Sequence, residues 1–200
     1  TKSLEGAGIE FQANQVGKIV AGEYSDALSY QIIKTVKDRG WLRKDKTSTE
    51  IIRAALDDQT SGLIEDIFIS ISDSLLFFAE QFGTNVDEVN KYIFEATQID
   101  LRGLTGEEIS KKLMVYFSGV VDKATETLFG DIIGQYQKLN EWLYETAIRL
   151  IKDKAIVSEI LEITNQQFSA VDTSTSSAIE QLIAFSEALI EMAGGLDKLT

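Results

Sequence analysis

The stretch Leu63-Ile64-Glu65-Asp66-Ile67-Phe68-Ile69-Ser70-Ile71-Ser72-Asp73-Ser74-Leu75-Leu76-Phe77-Phe78-Ala79-Glu80-Gln81-Phe82 decides the fold. Its apolar residues Ile64, Ile67, Phe68, Ile71, Leu75, Phe78, Ala79 and Phe82 recur at i, i+3, i+4, i+7 spacing. That period gathers them on one face of an α-helix. Glu65, Asp66, Asp73 and Glu80 interrupt the run, which stays short of the roughly 18–20 apolar residues that a bilayer span needs. The segment reads as an amphipathic helix, and Gly83 supplies a left-handed C-cap.

Downstream, Val86 and Val89 suit one short helical turn. Tyr92 to Leu101 alternates as a strand does and is expected to join a sheet formed upstream. Thr105-Gly106-Glu107-Glu108 is a capping box, opening a helix whose face is Ile109, Leu113, Tyr116, Phe117, Val120, Val121, Ala124 and Leu128. Gly130 is expected to break this helix and Asp131 to cap the next. That helix would carry Ile132, Tyr136, Leu139, Leu143, Ala147, Leu150 and Ile151 as its stripe. Lys152-Asp153-Lys154 reads as a hinge before a shorter helix from about Ala155 to Thr164. Ser169 to Ser176 reads as a loop. A second capping box (Ser177 and Glu180) opens a last helix through Ile179, Leu182, Ile183, Leu189, Ile190 and Ala193, and Gly194-Gly195-Leu196 closes it.

Upstream of residue 57 the period changes. Ile9-Glu10-Phe11-Gln12 alternates as a half-buried strand, and Val16 to Val20 is expected to return as its partner. Tyr30 to Val36 and Thr47 to Ile52 are rich in β-formers. They read as a hairpin over Tyr30 to Ala54 with a long basic tip. The fold class is therefore α+β, predominantly helical, with amphipathic helices packed on a small antiparallel β-sheet near the N-terminus. Residues 1–56 form a β-rich hairpin subdomain. Residues 57–200 form a helical subdomain that lends the strand at 92–101, and the two are expected to make one compact unit.

Composition narrows the function. Two hundred residues bury a real core without metals or disulfides. The formal net charge of −13 argues against nucleic-acid binding over the whole surface and against attachment to an anionic membrane. The chain has no Cys, no His and no Pro. That removes disulfides, the usual zinc and copper ligand sets, and every catalytic triad that contains His. A Ser–Lys dyad or a lone Glu stays open as enzymatic chemistry. The absence of Pro suits long uninterrupted helices and ladders. The sequence begins at Thr1 with no basic, apolar leader, and so reads as a fragment of a longer protein. No cofactor or metal is expected.

The acidic pairs Glu65/Asp66, Asp87/Glu88 and Glu107/Glu108 are better explained by structure than by chemistry. Adjacent helical residues point about 100° apart and do not converge on a substrate, and two of the pairs sit in first turns, where acids favour the helix dipole. Val16-Gly17-Lys18-Ile19 lacks both the first Gly and the Ser/Thr of a phosphate loop and is rejected. Gly130 and Gly134 have small-xxx-small spacing, a weak signal outside a membrane. The hairpin tip is more informative. Lys34, Lys37, Arg39, Arg43, Lys44 and Lys46 face Asp38 and Asp45, a local +4 in an acidic chain. Trp41 at its apex suits stacking on a base or lipid, or docking on an acidic partner; a solvated, charge-blunted tip is the plainer reading. On a helix, Glu145 and Arg149 would pair at i, i+4, with Glu141 one turn earlier. Trp142 or Tyr144 beside them would serve as an interface anchor if exposed, although core burial is the plainer reading.

Two phrases carry a family resemblance. Ile99-Asp100-Leu101-Arg102-Gly103-Leu104-Thr105-Gly106-Glu107-Glu108 resembles a phrase common in the C-terminal regions of phage tail tape measure proteins. Tyr136-Gln137-Lys138-Leu139-Asn140-Glu141-Trp142-Leu143-Tyr144-Glu145-Thr146-Ala147-Ile148-Arg149 is similar to a second segment of that family, with Asn140 where the family usually has Gly. Gly8-Ile9-Glu10-Phe11 and the Lys-rich hairpin fit the same order, so the likeness runs loosely over residues 3–168 and is specific over 99–149.

The resemblance implies a virion component, made in the host cytoplasm and placed in the tail lumen. Its C-terminal part would engage the tail tip or hub, beside distal tail proteins and the tail tube, during assembly and genome delivery. Homo-oligomers are implied as well. No heptad repeat is sustained here, so the chain would be the folded C-terminal piece and not the coiled rod. Two rivals stand beside this reading: a nucleic-acid-contacting or helical interaction module using the tip at 34–46, and a hydrolase embedded in a tape measure protein.

Overall fold

A computed structural model describes residues 1–163 apart from Leu42. The loop at 169–176, the second capping box and the last helix therefore lie outside the described residues. The elements in chain order are β1 (Lys2–Phe11), β2 (Asn14–Gln15), α1 (Val16–Val20), β3 (Leu28–Lys37), β4 (Lys46–Ala55), α2 (Asp58–Phe82) and α3 (Val86–Lys91). They continue with β5 (Ile93–Phe94), β6 (Thr97–Asp100), α4 (Gly106–Ile133), a 3₁₀ turn (Gly134–Tyr136), α5 (Leu143–Lys152) and α6 (Lys154–Ile163). The fold is α+β. One antiparallel sheet has the order β4-β3-β1-β6, and β2 pairs with β5.

α2 is the central helix. Asp57 caps it by accepting hydrogen bonds from the Thr60 backbone N–H (2.9 Å) and hydroxyl (2.7 Å). Gly83 ends it at φ 68°, as the sequence indicates. Its face packs on both the sheet and α4 through a group of rings. Phe68 lies 6.1 Å from Phe11 of β1, 5.3 Å from Phe94 of β5 and 5.7 Å from Phe117 of α4, centroid to centroid. All four rings are buried, and each adds about 1.5–3 kcal/mol by leaving water. Strands and helices thus share one core, and β6, supplied by the helical half, completes the sheet beside β1.

Four details depart from the sequence reading. Val16–Val20 is a helical turn, not a strand. A strand would have placed Lys18 on the same face as Val16, whereas three-residue spacing buries Val16 and Ile19 together and leaves Lys18 exposed. The segment 92–101 splits into β5 and β6, which serve different sheets. Gly130 does not stop α4, which continues to Ile133. A helical Gly costs about 1 kcal/mol, less than is gained by burying Phe129 and Ile133 on one stripe. The stripe from Ile132 to Ile151 is therefore not one helix. A 3₁₀ turn and a loop precede α5, and Leu139 stands 94% exposed in that loop. The break at Lys152-Asp153-Lys154 is present between α5 and α6.

Candidate docking surface

The hairpin of β3 and β4 carries the basic tip out from the sheet. Asp38 accepts from the Gly40 N–H (2.8 Å), and Gly40 turns the chain at φ 84°. Asp45 accepts from the Arg39 N–H at 3.4 Å, and the Arg43 N–H returns to the Gly40 carbonyl at 3.1 Å. The two aspartates thus shape the turn through backbone amides. Among the described residues Lys37, Arg39, Arg43, Lys44 and Lys46 form no ion pair. All five are exposed, and Trp41 is 95% exposed at the apex. The structure brings these six sequence-selected residues together as one bare, cationic, aromatic-tipped projection.

β4 itself is exposed along all ten residues. Ile51 and Ile52 each show 43% of their surface. Beside Ile52 and Ala54 lies a groove of about 530 Å³ whose floor includes Leu4, Ala7 and Gln31. The register explains it. Ala7 faces Gln31 and Gln31 faces Ile52, so the three share one face of the sheet, beyond the part that the helices cover.

The second sequence-selected group, Glu141, Trp142, Tyr144, Glu145 and Arg149, behaves differently. Glu141 is in the loop before α5, not on a helix, and it takes the partner expected for Glu145. Arg149 Nε donates to Glu141 at 2.7 Å and its second nitrogen at 2.9 Å, while that nitrogen also reaches the Tyr136 carbonyl at 2.7 Å. Thr146 adds a hydroxyl bond at 2.8 Å. With the guanidinium against it, the Glu141 carboxyl is held down to about 2. Glu145 instead accepts from the Trp142 N–H at 2.8 Å and caps α5. Asp122, which the sequence reading passed over, reaches from α4 to accept from the Leu143 N–H at 2.7 Å.

These polar groups are spent on the α4–α5 joint. Tyr144 is half-buried against Trp142, ring centroids 6.0 Å apart. Trp142, 41% exposed, and Leu139 are what this joint offers to a partner. Asn140 stands at φ 63°, the left-handed conformation that Gly adopts freely and Asn tolerates.

The other family-like phrase is also a joint. Asp100 accepts from the Arg102 side chain at 2.8 Å and from the Ala7 N–H at 3.3 Å, and Arg102 reaches the Leu4 carbonyl at 3.0 Å. The Arg102 guanidinium lowers the Asp100 carboxyl to about 2. Lys112 of α4 donates to the Asp100 carbonyl at 2.6 Å. Thr105 and Glu108 close the capping box, at 3.3 and 3.2 Å. The phrase therefore clasps β1 to the start of α4. Among the described residues no three Asp, Glu, His or Cys side chains gather as a metal site would require, and no helix is long and apolar enough to cross a membrane. Comparison with protein-family models, with curated proteins and with solved structures finds no match.

Proposed function

We propose that this chain is a docking module of a phage tail. It would be the C-terminal piece of a tape measure protein that engages tail-tip or hub proteins during assembly and genome delivery, and it works by binding rather than by catalysis. The observation that carries the docking reading is the hairpin tip, with five cations that have no acidic partner among the described residues and a tryptophan that is 95% exposed. An exposed Trp beside Arg is the composition of an interface anchor. The tail assignment rests on the likeness over residues 99–149. Both of its phrases fold as joints between elements, the role expected of a structural protein. Homo-oligomers in the virion and host-cytoplasmic assembly belong to the same proposal.

The test is co-purification from gently disrupted particles. The chain should leave with tail-tip proteins, and free diffusion away from the tip complex overturns the proposal. A second reading, contact with nucleic acid, is favoured by the same unpaired cations. It requires a DNA shift that weakens steeply with salt and disappears when Arg43 and Lys44 are both changed to Gln. No shift at low salt removes it.

A further inference from the structure

Among the described residues β4 is the outer strand of its sheet, with nothing paired to its far side. Natural proteins blunt such edges with charged side chains, Pro, bulges, short strands or covering loops, because a bare edge templates further pairing. β4 is ten residues long, contains no Pro and pairs with β3 without a break from Lys46 to Ala55. Two charges stand within it: Arg53 is drawn back across β3 to Glu10 at 2.8 Å, and Glu50 stays exposed on the face that Lys46 and Ile52 share. Half of the backbone N–H and C=O groups of an edge strand point away from its neighbour. Among the described residues, no outward backbone group from Lys46 to Arg53 has a hydrogen-bond partner.

The two ends of β4 differ chemically. Near its C-terminus the groove beside Ile52 and Ala54 is mainly apolar. Its N-terminus begins at Lys46, next to Lys44 and across the ladder from Lys37. Lys46 and Ile52 are six residues apart, about 20 Å at the rise of a strand. We propose that β4 accepts an added strand from a partner protein. The partner segment runs antiparallel to β4, as every other strand pair in the sheet does. It places two alternate apolar side chains in the groove and, about six residues later, carboxylates against Lys37, Lys44 and Lys46. This deepens the docking reading, on which it rests, by naming the mode of recognition and the chemistry of the partner.

The test uses the full chain and a synthetic ten-residue peptide of alternating Val and Thr that ends in three Glu. Amide exchange is followed by NMR. In the free chain the outward amides of β4 should exchange freely, and saturating peptide should slow them at least tenfold. N-methylating the peptide on one alternate set of residues should abolish binding, because that set carries the pairing amides. Methylating the other set should not. Ile52→Lys should abolish binding with only a small fall in melting temperature, since Ile52 is already 43% exposed. Replacing the three Glu by Lys should weaken binding at least tenfold.

Outward amides already protected in the free chain would mean that a second copy or the chain itself covers β4, and would overturn the proposal. So would absence of binding, or binding indifferent to N-methylation and to Ile52→Lys. If the peptide fails while co-purification with tail-tip proteins holds, strand addition falls and the tail reading stands. If the peptide binds and co-purification fails, the edge stands and the tail reading falls.

Discussion

Gly8→Ala is the sharpest test of the β1–β6 seam. Gly8 sits opposite Asp100 on one side and Tyr30 on the other. A Cβ built on it would lie 1.9 Å from the Ile99 carbonyl oxygen, a backbone atom that no side-chain rotation can move aside. Restoring ordinary contact requires β1 and β6 to separate by more than about 1 Å. The Leu101 N–H to Ala7 carbonyl bond, 2.8 Å, would then be stretched beyond hydrogen-bonding range, and the 3.3 Å bond from the Ala7 N–H to Asp100 would be lost with it. Two such bonds are worth about 1 kcal/mol each. Partial exposure of Ile99 and Leu101 adds a similar amount, so the expected cost is about 2–4 kcal/mol. Gly6→Ala is the control, because its Cβ would meet a flexible Ile32 side-chain atom at 3.0 Å; the expected cost is under about 1 kcal/mol. Urea unfolding of both variants, with equal slopes, reads the difference. Equal costs, or a Gly8→Ala variant as stable as the parent, would refute the close approach.

Other outcomes follow from the same geometry. Arg149→Lys cannot reproduce the fork that joins Glu141 to the Tyr136 carbonyl, and should lose about 1–2 kcal/mol in chemical unfolding. Asn140→Val should cost about 1–2 kcal/mol because a β-branched residue resists the left-handed turn, while Asn140→Gly should be tolerated; thermal melts of the pair check this. The carboxyls of Asp100 and Glu141 are both lowered, to about 2. Their contribution is therefore complete above the ordinary carboxylate value near 4 and is lost as pH falls from there toward 2. Melting temperature should drop across that window, and the drop should be shallower in Asp100→Asn and Glu141→Gln. Trp41→Ala should leave the melting temperature unchanged while weakening capture by a tail-tip fraction in a pull-down.

The parts of this fold that were legible in the sequence are those governed by local rules. α2 shows in its spacing, and Gly83 and Thr105 act within one turn of their own backbones. The hairpin shows because both arms are long and rich in β-formers. What stayed hidden depends on distant partners. Val16–Val20 is too short for its period to separate helix from strand until α2 and α3 bury Val16 and Ile19. Gly130 is a helix breaker by propensity and is overruled by the burial of its neighbours. Glu141 took the place expected for Glu145 because the chain unwinds before Trp142, where Asp122 and Glu145 together start the next helix.

The basic tip was visible as composition, but the nakedness of β4 was not drawn from it. The adjacent pair Ile51-Ile52 was the available signal. Neighbours on a strand point to opposite faces, so two apolar side chains there call for cover on both sides, and among the described residues each stays 43% exposed.

The central claim, that this chain docks to a tail-tip protein through the β3–β4 hairpin, is tested most directly by cross-linking mass spectrometry on intact particles that carry it. Among the described residues no ion pair engages the amines of Lys37, Lys44 and Lys46, so they are expected to react. They are expected to link to one tail-tip or hub protein, and those links should fade in particles that carry Ile52→Lys. Links from these lysines to tube subunits alone would contradict it, while tip-protein links unchanged by Ile52→Lys would remove strand addition and leave docking through the tip.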